Sequence, residues 1–253
     1  PDAGSDAASI KCTATLDGNG WVINGSKQFI TNIGLDNSSM VIIAAVSGKK
    51  EQGKSIIDTF IVPKGTPGFT VGKSYDKIGL HSSSTNEVFF EDCRIPRDYI
   101  LGEEGRGLAQ HLAALQMGRI CVAAIGVGIA QACLDASLAY AKQRIQFDRP
   151  IINFQGVSFK LADMAVAIEL ARLIYLKAAW LKDNNLPYTF EASVAKLYTS
   201  EAVEKIASDA VQIHGGYGWM KEYAVARYYT QAKLMQIVEG TSEVQRIVIT
   251  RTL

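Results

Sequence analysis

The sequence holds 253 residues, and near its end Gln236-Ile237-Val238-Glu239-Gly240-Thr241-Ser242-Glu243-Val244-Gln245-Arg246 puts a carboxylate beside a glycine. Ser242 followed by Gln245 has capping-box spacing, which predicts a helix starting there. Glu239 then stands just before a helix N-terminus, and two readings are open. An acid in that place favours the helix dipole by well under about 1 kcal/mol. Alternatively, apolar Ile237 and Val238 desolvate the carboxyl, lift it above its ordinary pKa of about 4.3 and make it a base for proton abstraction. Arg119 is a lone charge in an apolar stretch; a buried charge needs a partner, so it either pairs internally or binds an anion. Gln143-Arg144-Ile145-Gln146-Phe147 offers either a phosphate grip or an ordinary basic helix end. The small-residue turns Ala3-Gly4-Ser5-Asp6 and His214-Gly215-Gly216-Tyr217-Gly218 let a backbone approach a ligand, or simply end an element. Neither fits the dinucleotide or P-loop glycine fingerprints. Cys12, Cys93, Cys121 and Cys133 form no CxxC pair, and His81, His111 and His214 lie far apart, so neither a disulfide framework nor a metal site is expected.

These residues sit in a chain whose character changes near residue 105. Of its 22 glycines, 14 fall at or before Gly107. Short runs rich in β-branched and aromatic residues at 10–16, 20–24, 27–31, 40–46, 55–62, 69–73 and 87–90 predict strands. Asn24-Gly25 between two of them carries a hairpin signal. Close-spaced strands without intervening helices imply an antiparallel barrel or sandwich over 1–104. Apolar residues at three-and-four spacing then predict long helices over 108–144, 154–182 and 188–213, a four-helix-bundle pattern over 105–253. The expected fold class is therefore α+β. The stretch 120–138 is apolar nearly all round, which predicts burial on every side and an oligomer interface. The apolar run 120–134 is shorter than a membrane span of about 20 residues, so no membrane span is expected. The charge is 26 − 25 = +1, which excludes a chain-wide field for a polyanion, and no nucleic-acid partner is expected.

Read together, AGSD, QFITN, FEDCRIP, MGR, RIQFDRPI, QIHGGYG and EGTSEVQR resemble, in order and spacing, the acyl-CoA dehydrogenase family over the whole chain. QIHGGYG paired with EGTSEVQR is the specific part. The resemblance implies a middle β domain at 1–104 and a C-terminal four-helix bundle at 105–253, with the family's N-terminal helical domain missing upstream. It implies an FAD-dependent dehydrogenation of a short- to medium-chain acyl-CoA, straight or branched, to the trans-2-enoyl-CoA. Glu239 matches the catalytic base that takes the α-proton while flavin N5 takes the β-hydride. The flavin ribityl 2′-hydroxyl and the Glu239 N–H would polarise the thioester carbonyl. Ser5, Phe29, Ile30 and Thr31 match the flavin loop and the family's Trp-Ile-Thr, with Phe29 standing for Trp. Arg144, Gln155, Gln212, Ile213, His214, Gly215 and Gly216 match positions that hold the FAD of a neighbouring subunit. Thr241, Ser242 and Glu243 match further FAD contacts. Ser5, Gln116, Met117, Gly118, Arg119 and Gly240 match substrate contacts; Gln116 stands where many members carry Asp, and Val238 where Tyr is frequent.

Other members place the base on the MGR helix, where this chain has Gly118; Glu239 is the short- and medium-chain pattern. The implied partners are acyl-CoA, an electron-transfer flavoprotein as acceptor and further copies of the chain in a tetramer, a dimer of dimers. The implied setting is bacterial cytoplasm or mitochondrial matrix, in fatty-acid β-oxidation. Two rivals stay open: an acyl-CoA oxidase on the same fold, and a non-catalytic scaffold or DNA-binding relative.

Overall fold

The computed structural model describes residues 1–51 and 53–253. They form two compact units, Pro1–Ala114 and Leu115–Leu253.

The first unit is built on a six-stranded sheet: β1 (Thr13–Asp17), β2 (Gly20–Thr31), β3 (Met40–Lys49), β4 (Ser55–Pro63), β5 (Phe69–Ser74) and β6 (Thr85–Pro96), in spatial order β4-β3-β1-β2-β6-β5. Pairing is antiparallel except between β1 and β3, which run parallel with Thr13 opposite Val46. Strict alternation makes β3 legible: Val41, Ile43 and Ala45 are buried while Met40 and Ile42 face outward. Phe60, Ile23, Val88 and Phe90 fill the core, and Trp21 packs edge-on to Phe60 with ring centroids 5.1 Å apart.

The Asn24-Gly25 hairpin does not form; residues 20–31 are one strand. Asn24 faces two β6 residues, Glu91 and Asp92, across a register shift. Its side chain accepts from the Asp92 N–H (2.8 Å) and donates to the Asp92 carboxylate (3.1 Å). Gly25 takes φ 126°, and a Cβ there would come within 2.9 Å of the Cys12 Cα. The dipeptide that reads as a turn therefore serves a bulge. The actual hairpin joins β1 to β2 through Gly18 and Asn19, with Asp17 opposite Gly20. A second shift follows between Lys27 and Ile30, and within it Phe29 adopts φ 60°.

The helices are α1 (Gly107–Gln143), α2 (Gln155–Asp183), α3 (Thr189–His214), α4 (Ala224–Leu234) and α5 (Ser242–Thr252). The α+β expectation holds. The bundle's fourth member is divided: α4 and α5, 11 residues each, both pack on α3. The second unit's core joins Val122, Val127, Ala130 and Cys133 of α1 to Leu161, Met164 and Ile168 of α2 and Val203, Ile206 and Ala210 of α3. Gly126 lets α1 and α3 approach: a Cβ there would meet the Thr199 methyl at 2.8 Å. Burial of 120–138 on every side is not observed. Val122, Ala123, Gly126 and Val127 are buried, but Cys121, Ala124, Ile125 and Gly128 lie on an exposed face. Packing within one chain covers only part of a helix this apolar. By length and composition α1 could cross a membrane, with a mean hydropathy of 1.8 over 18 residues, a third of which are buried within the chain.

Candidate active site

Glu239 lies in the connection between α4 and α5. The chain leaves α4 through turns, Ile237 N–H donating to Leu234 O (2.9 Å) and Val238 N–H to the same carbonyl (3.1 Å). Glu239 and Gly240 then both take left-handed backbone, φ 55° and 88°. Thr241 caps α5, its hydroxyl accepting from the Val244 N–H at 3.4 Å. The expected Ser242 cap is thus displaced by one residue: Thr241 has the extended ψ of 165° that a cap needs, and Ser242 is already helical and buried. Gln245 closes no capping box. Its side-chain amide donates to Glu239 O (3.2 Å) and Gly240 O (2.9 Å).

The Glu239 carboxyl reaches α1 at Gly118. A Cβ at 118 would collide with Oε2 and lie 2.8 Å from the carboxyl carbon, so the bare backbone there makes room for the acid. Arg119, next along α1, is buried and donates from Nη1 to the Ser193 hydroxyl on α3 at 3.1 Å. Its charge is felt at Glu239, although among the described residues no carboxylate lies within ion-pair distance of it. Its Nε has no partner. Burial pushes the Glu239 carboxyl above the ordinary carboxylate range, and Arg119 and Lys196 pull it part of the way back. Among the described residues the Glu239 N–H has no hydrogen-bond acceptor, which leaves a donor free beside the acid. A partly desolvated carboxyl, a neighbouring free N–H and fixed positive charge form a constellation for removing a proton next to a carbonyl.

The structure thus brings Gly118, Arg119, Glu239 and Gly240 together; Gln116 is half-buried and Met117 exposed on the same helix. Arg144, Ile213, His214, Gly215 and Gly216 line a second feature, a cavity of about 500 Å³ shared with Tyr140, Tyr217 and Met220. Gln155 and Gln212 are exposed and do not line it. Thr241, Ser242 and Glu243 form the cap and first turn of α5. In the first unit, Ser5 is exposed, and Phe29, Ile30 and Thr31 end β2. Sequence reasoning missed Ser193, Lys196 and Gln245. The signal for Lys196 was its register: Ala192, Lys196, Thr199 and Val203 share the buried face of α3.

A flavin dinucleotide needs an aromatic surface, cationic or N–H donors for phosphate, and backbone free of side chains. Phe29 is 66% exposed, its ring 5.3 Å from that of Tyr75. At Gly215 and Gly216 a Cβ would meet nothing within 4 Å, and Arg144 holds its guanidinium 5.5 Å from the Tyr217 ring at the same cavity. The Ser242 hydroxyl at the α5 N-terminus is buried without a partner. Taken unit by unit, the open aromatic surface of the first and the donors and openings of the second each suit a part of such a group.

Residues 1–93 match the family model for the acyl-CoA dehydrogenase middle domain, and residues 105–253 the model for the acyl-CoA dehydrogenase C-terminal domain. A probable acyl-CoA dehydrogenase, YngJ, of Bacillus subtilis (strain 168) is 53% identical over the whole chain, which covers 66% of that protein. The mitochondrial short-chain specific acyl-CoA dehydrogenase of Rattus norvegicus is 47% identical over 98% of the chain and 60% of its own length. The solved butyryl-CoA dehydrogenase of Megasphaera elsdenii superposes with a TM-score of 0.95 at 45% identity, covering 100% of this chain and 65% of that one. The chain therefore spans about 60–66% of the length of these relatives.

Proposed function

The chain belongs to the acyl-CoA dehydrogenase family, and on that premise we propose that it carries the catalytic part of an FAD-dependent dehydrogenase of short- to medium-chain acyl-CoA, straight or branched, acting in fatty-acid β-oxidation. The observation that carries this reading is the Glu239 carboxyl, raised by burial and lodged against bare Gly118. Glu239 takes the α-proton of the thioester. Its own unpartnered N–H donates to the thioester carbonyl, which makes that proton removable by a carboxylate. Gly240, with Gln116, Met117, Gly118, Arg119 and Ser5, orients the acyl chain. FAD, when bound, supplies an oxidised ring able to accept the β-hydrogen with its electron pair. Ser5, Phe29, Ile30 and Thr31 would hold the ring, and Thr241, Ser242 and Glu243 would make further contacts to the same FAD; Arg144, Gln155, Gln212, Ile213, His214, Gly215 and Gly216 would hold the FAD of a neighbouring subunit. The two functional parts are 1–104 and 105–253.

The test is a panel of straight and branched acyl-CoA thioesters added to the full-length flavoprotein, following loss of yellow absorbance. Short-chain thioesters are expected to bleach it fastest. A protein fully loaded with FAD that no thioester bleaches overturns the reading.

A homo-tetramer, a dimer of dimers, is part of the proposal. Support comes from α2, where Phe159, Val166, Leu170, Leu173 and Trp180 are all exposed; an apolar stripe of that extent marks an association surface. Light scattering on the full-length protein at micromolar concentration is expected to give four copies, and a monomer would contradict it. The acceptor proposed is an electron-transfer flavoprotein, and the setting bacterial cytoplasm or mitochondrial matrix; the relatives include proteins of both kinds of cell.

A further inference from the structure

The Glu239–Gly240 turn is gripped by two fully buried polar side chains. Lys196 of α3 donates from Nζ to Gly240 O at 2.7 Å. Gln245 of α5 donates to the same oxygen and to Glu239 O, while its own Oε1 has no partner, so the amide is held by its donor end alone. Two successive left-handed residues, one of them not glycine, persist only where the surroundings over-determine them. Hydrogen bonding alone does not explain a lysine here. A neutral donor could bond a carbonyl without the cost of burying a charge. Among the described residues Lys196 has no carboxylate within ion-pair distance. The charges it faces are Arg119 on α1, Glu239 on the turn and Glu243 on α5.

We propose that Lys196 is a positioning residue for the Glu239 base: its ammonium locks the Gly240 carbonyl so that the carboxyl stays aimed, and its charge favours the ionised carboxylate, while Gln245 supplies geometry without charge. This rests on Glu239 being the base. Burial pulls the Lys196 ammonium down to about 8, Arg119 acting in the same direction and Glu243 and Glu239 against it. Lys196 in turn lowers the burial-raised Glu239 carboxyl. Near neutral pH the lysine is therefore charged for the most part, and its removal should move the carboxyl upward.

In the flavin-loaded full-length protein, Lys196→Met is expected to slow flavin reduction by about tenfold or more and to move the acid limb of its pH profile upward by about one unit. Infrared titration of the Glu239 carboxyl, without substrate, should show the same displacement. Gln245→Leu should slow reduction and leave the limb in place. Lys196→Gln keeps a donor and loses the charge; it should move the limb with a smaller loss of rate, and it serves as the test if the Met variant does not fold. An acid limb and a carboxyl titration unchanged in the folded Lys196 variants overturn the proposal. Glu239→Gln run alongside separates two failures. If it still reduces flavin, the base assignment is wrong; if it is inactive while the Lys196 variants titrate like the parent, only the role of Lys196 is wrong.

Discussion

Glu239→Gln in the flavin-loaded full-length protein is expected to bind FAD and acyl-CoA as the parent does, yet to reduce its flavin about a thousandfold more slowly. The amide keeps the size and the polar end of the side chain but has no basic lone pair for the α-proton. A positioned general base contributes about 10²–10⁴-fold, and the acidity of a thioester α-C–H leaves water no competitive route. Stopped-flow loss of yellow absorbance measures it. A variant keeping more than about a tenth of the parent rate, a barrier change under about 1.4 kcal/mol, removes Glu239 from the role. The same substitution should make the fold more robust. Burial raises the carboxyl in the folded protein above its value in the unfolded chain. The native state then holds the proton more tightly, so stability falls as pH rises from the ordinary carboxylate value through the raised one. Near neutral pH the parent carries that penalty and the Gln variant does not. The variant should melt higher there, and the gap should close below about pH 4, where the parent carboxyl is protonated in both states.

Gly118→Ala is the second large effect, and it acts on the same carboxyl without touching it chemically. The added methyl would occupy the space of Oε2 and sit 2.8 Å from the carboxyl carbon. That carboxyl ends a flexible side chain, so it can swing aside at little cost to the fold. Alanine also suits the interior of α1 better than glycine by about 1 kcal/mol. The melting temperature should hold or rise. Flavin reduction should fall by about 10–100-fold, because a base displaced by about 1 Å loses its line of attack. A rate within twofold of the parent would show that the carboxyl does not need the space Gly118 leaves.

Much of this arrangement was legible in the sequence. The alternation of residues 40–46 marked β3 directly, and three-and-four spacing marked α2 and α3. Glu239 stood out because a glycine and a cap-like pattern followed it. The shifted cap is a one-residue matter, since Thr241 and Ser242 can both accept an N–H. Asn24-Gly25 misled for a tertiary reason: left-handed glycine serves a bulge as readily as a hairpin, and only the partner strand decides. Lys196 was hidden because a lysine in mid-helix looks like a solvated one; its place among Ala192, Thr199 and Val203 was the cue. Cys121, Ala124, Ile125 and Gly128 lie exposed on the stretch whose apolarity pointed to an oligomer interface; apolarity says that a face wants covering but not by which chain.

The backbone excursion at Phe29 also limits how this surface can drift over generations. Its left-handed φ arises from the pairing mismatch between β2 and β6, not from the benzyl group it displays. One flat ring can therefore be exchanged for a larger or smaller one by point mutation while the strand stays as it was. Val, Ile or Thr would be strained at that φ before meeting any ligand, whereas glycine or asparagine would sit there readily, so a lineage can lose the ring at this position without disturbing the strand but cannot put a β-branched side chain there without strain.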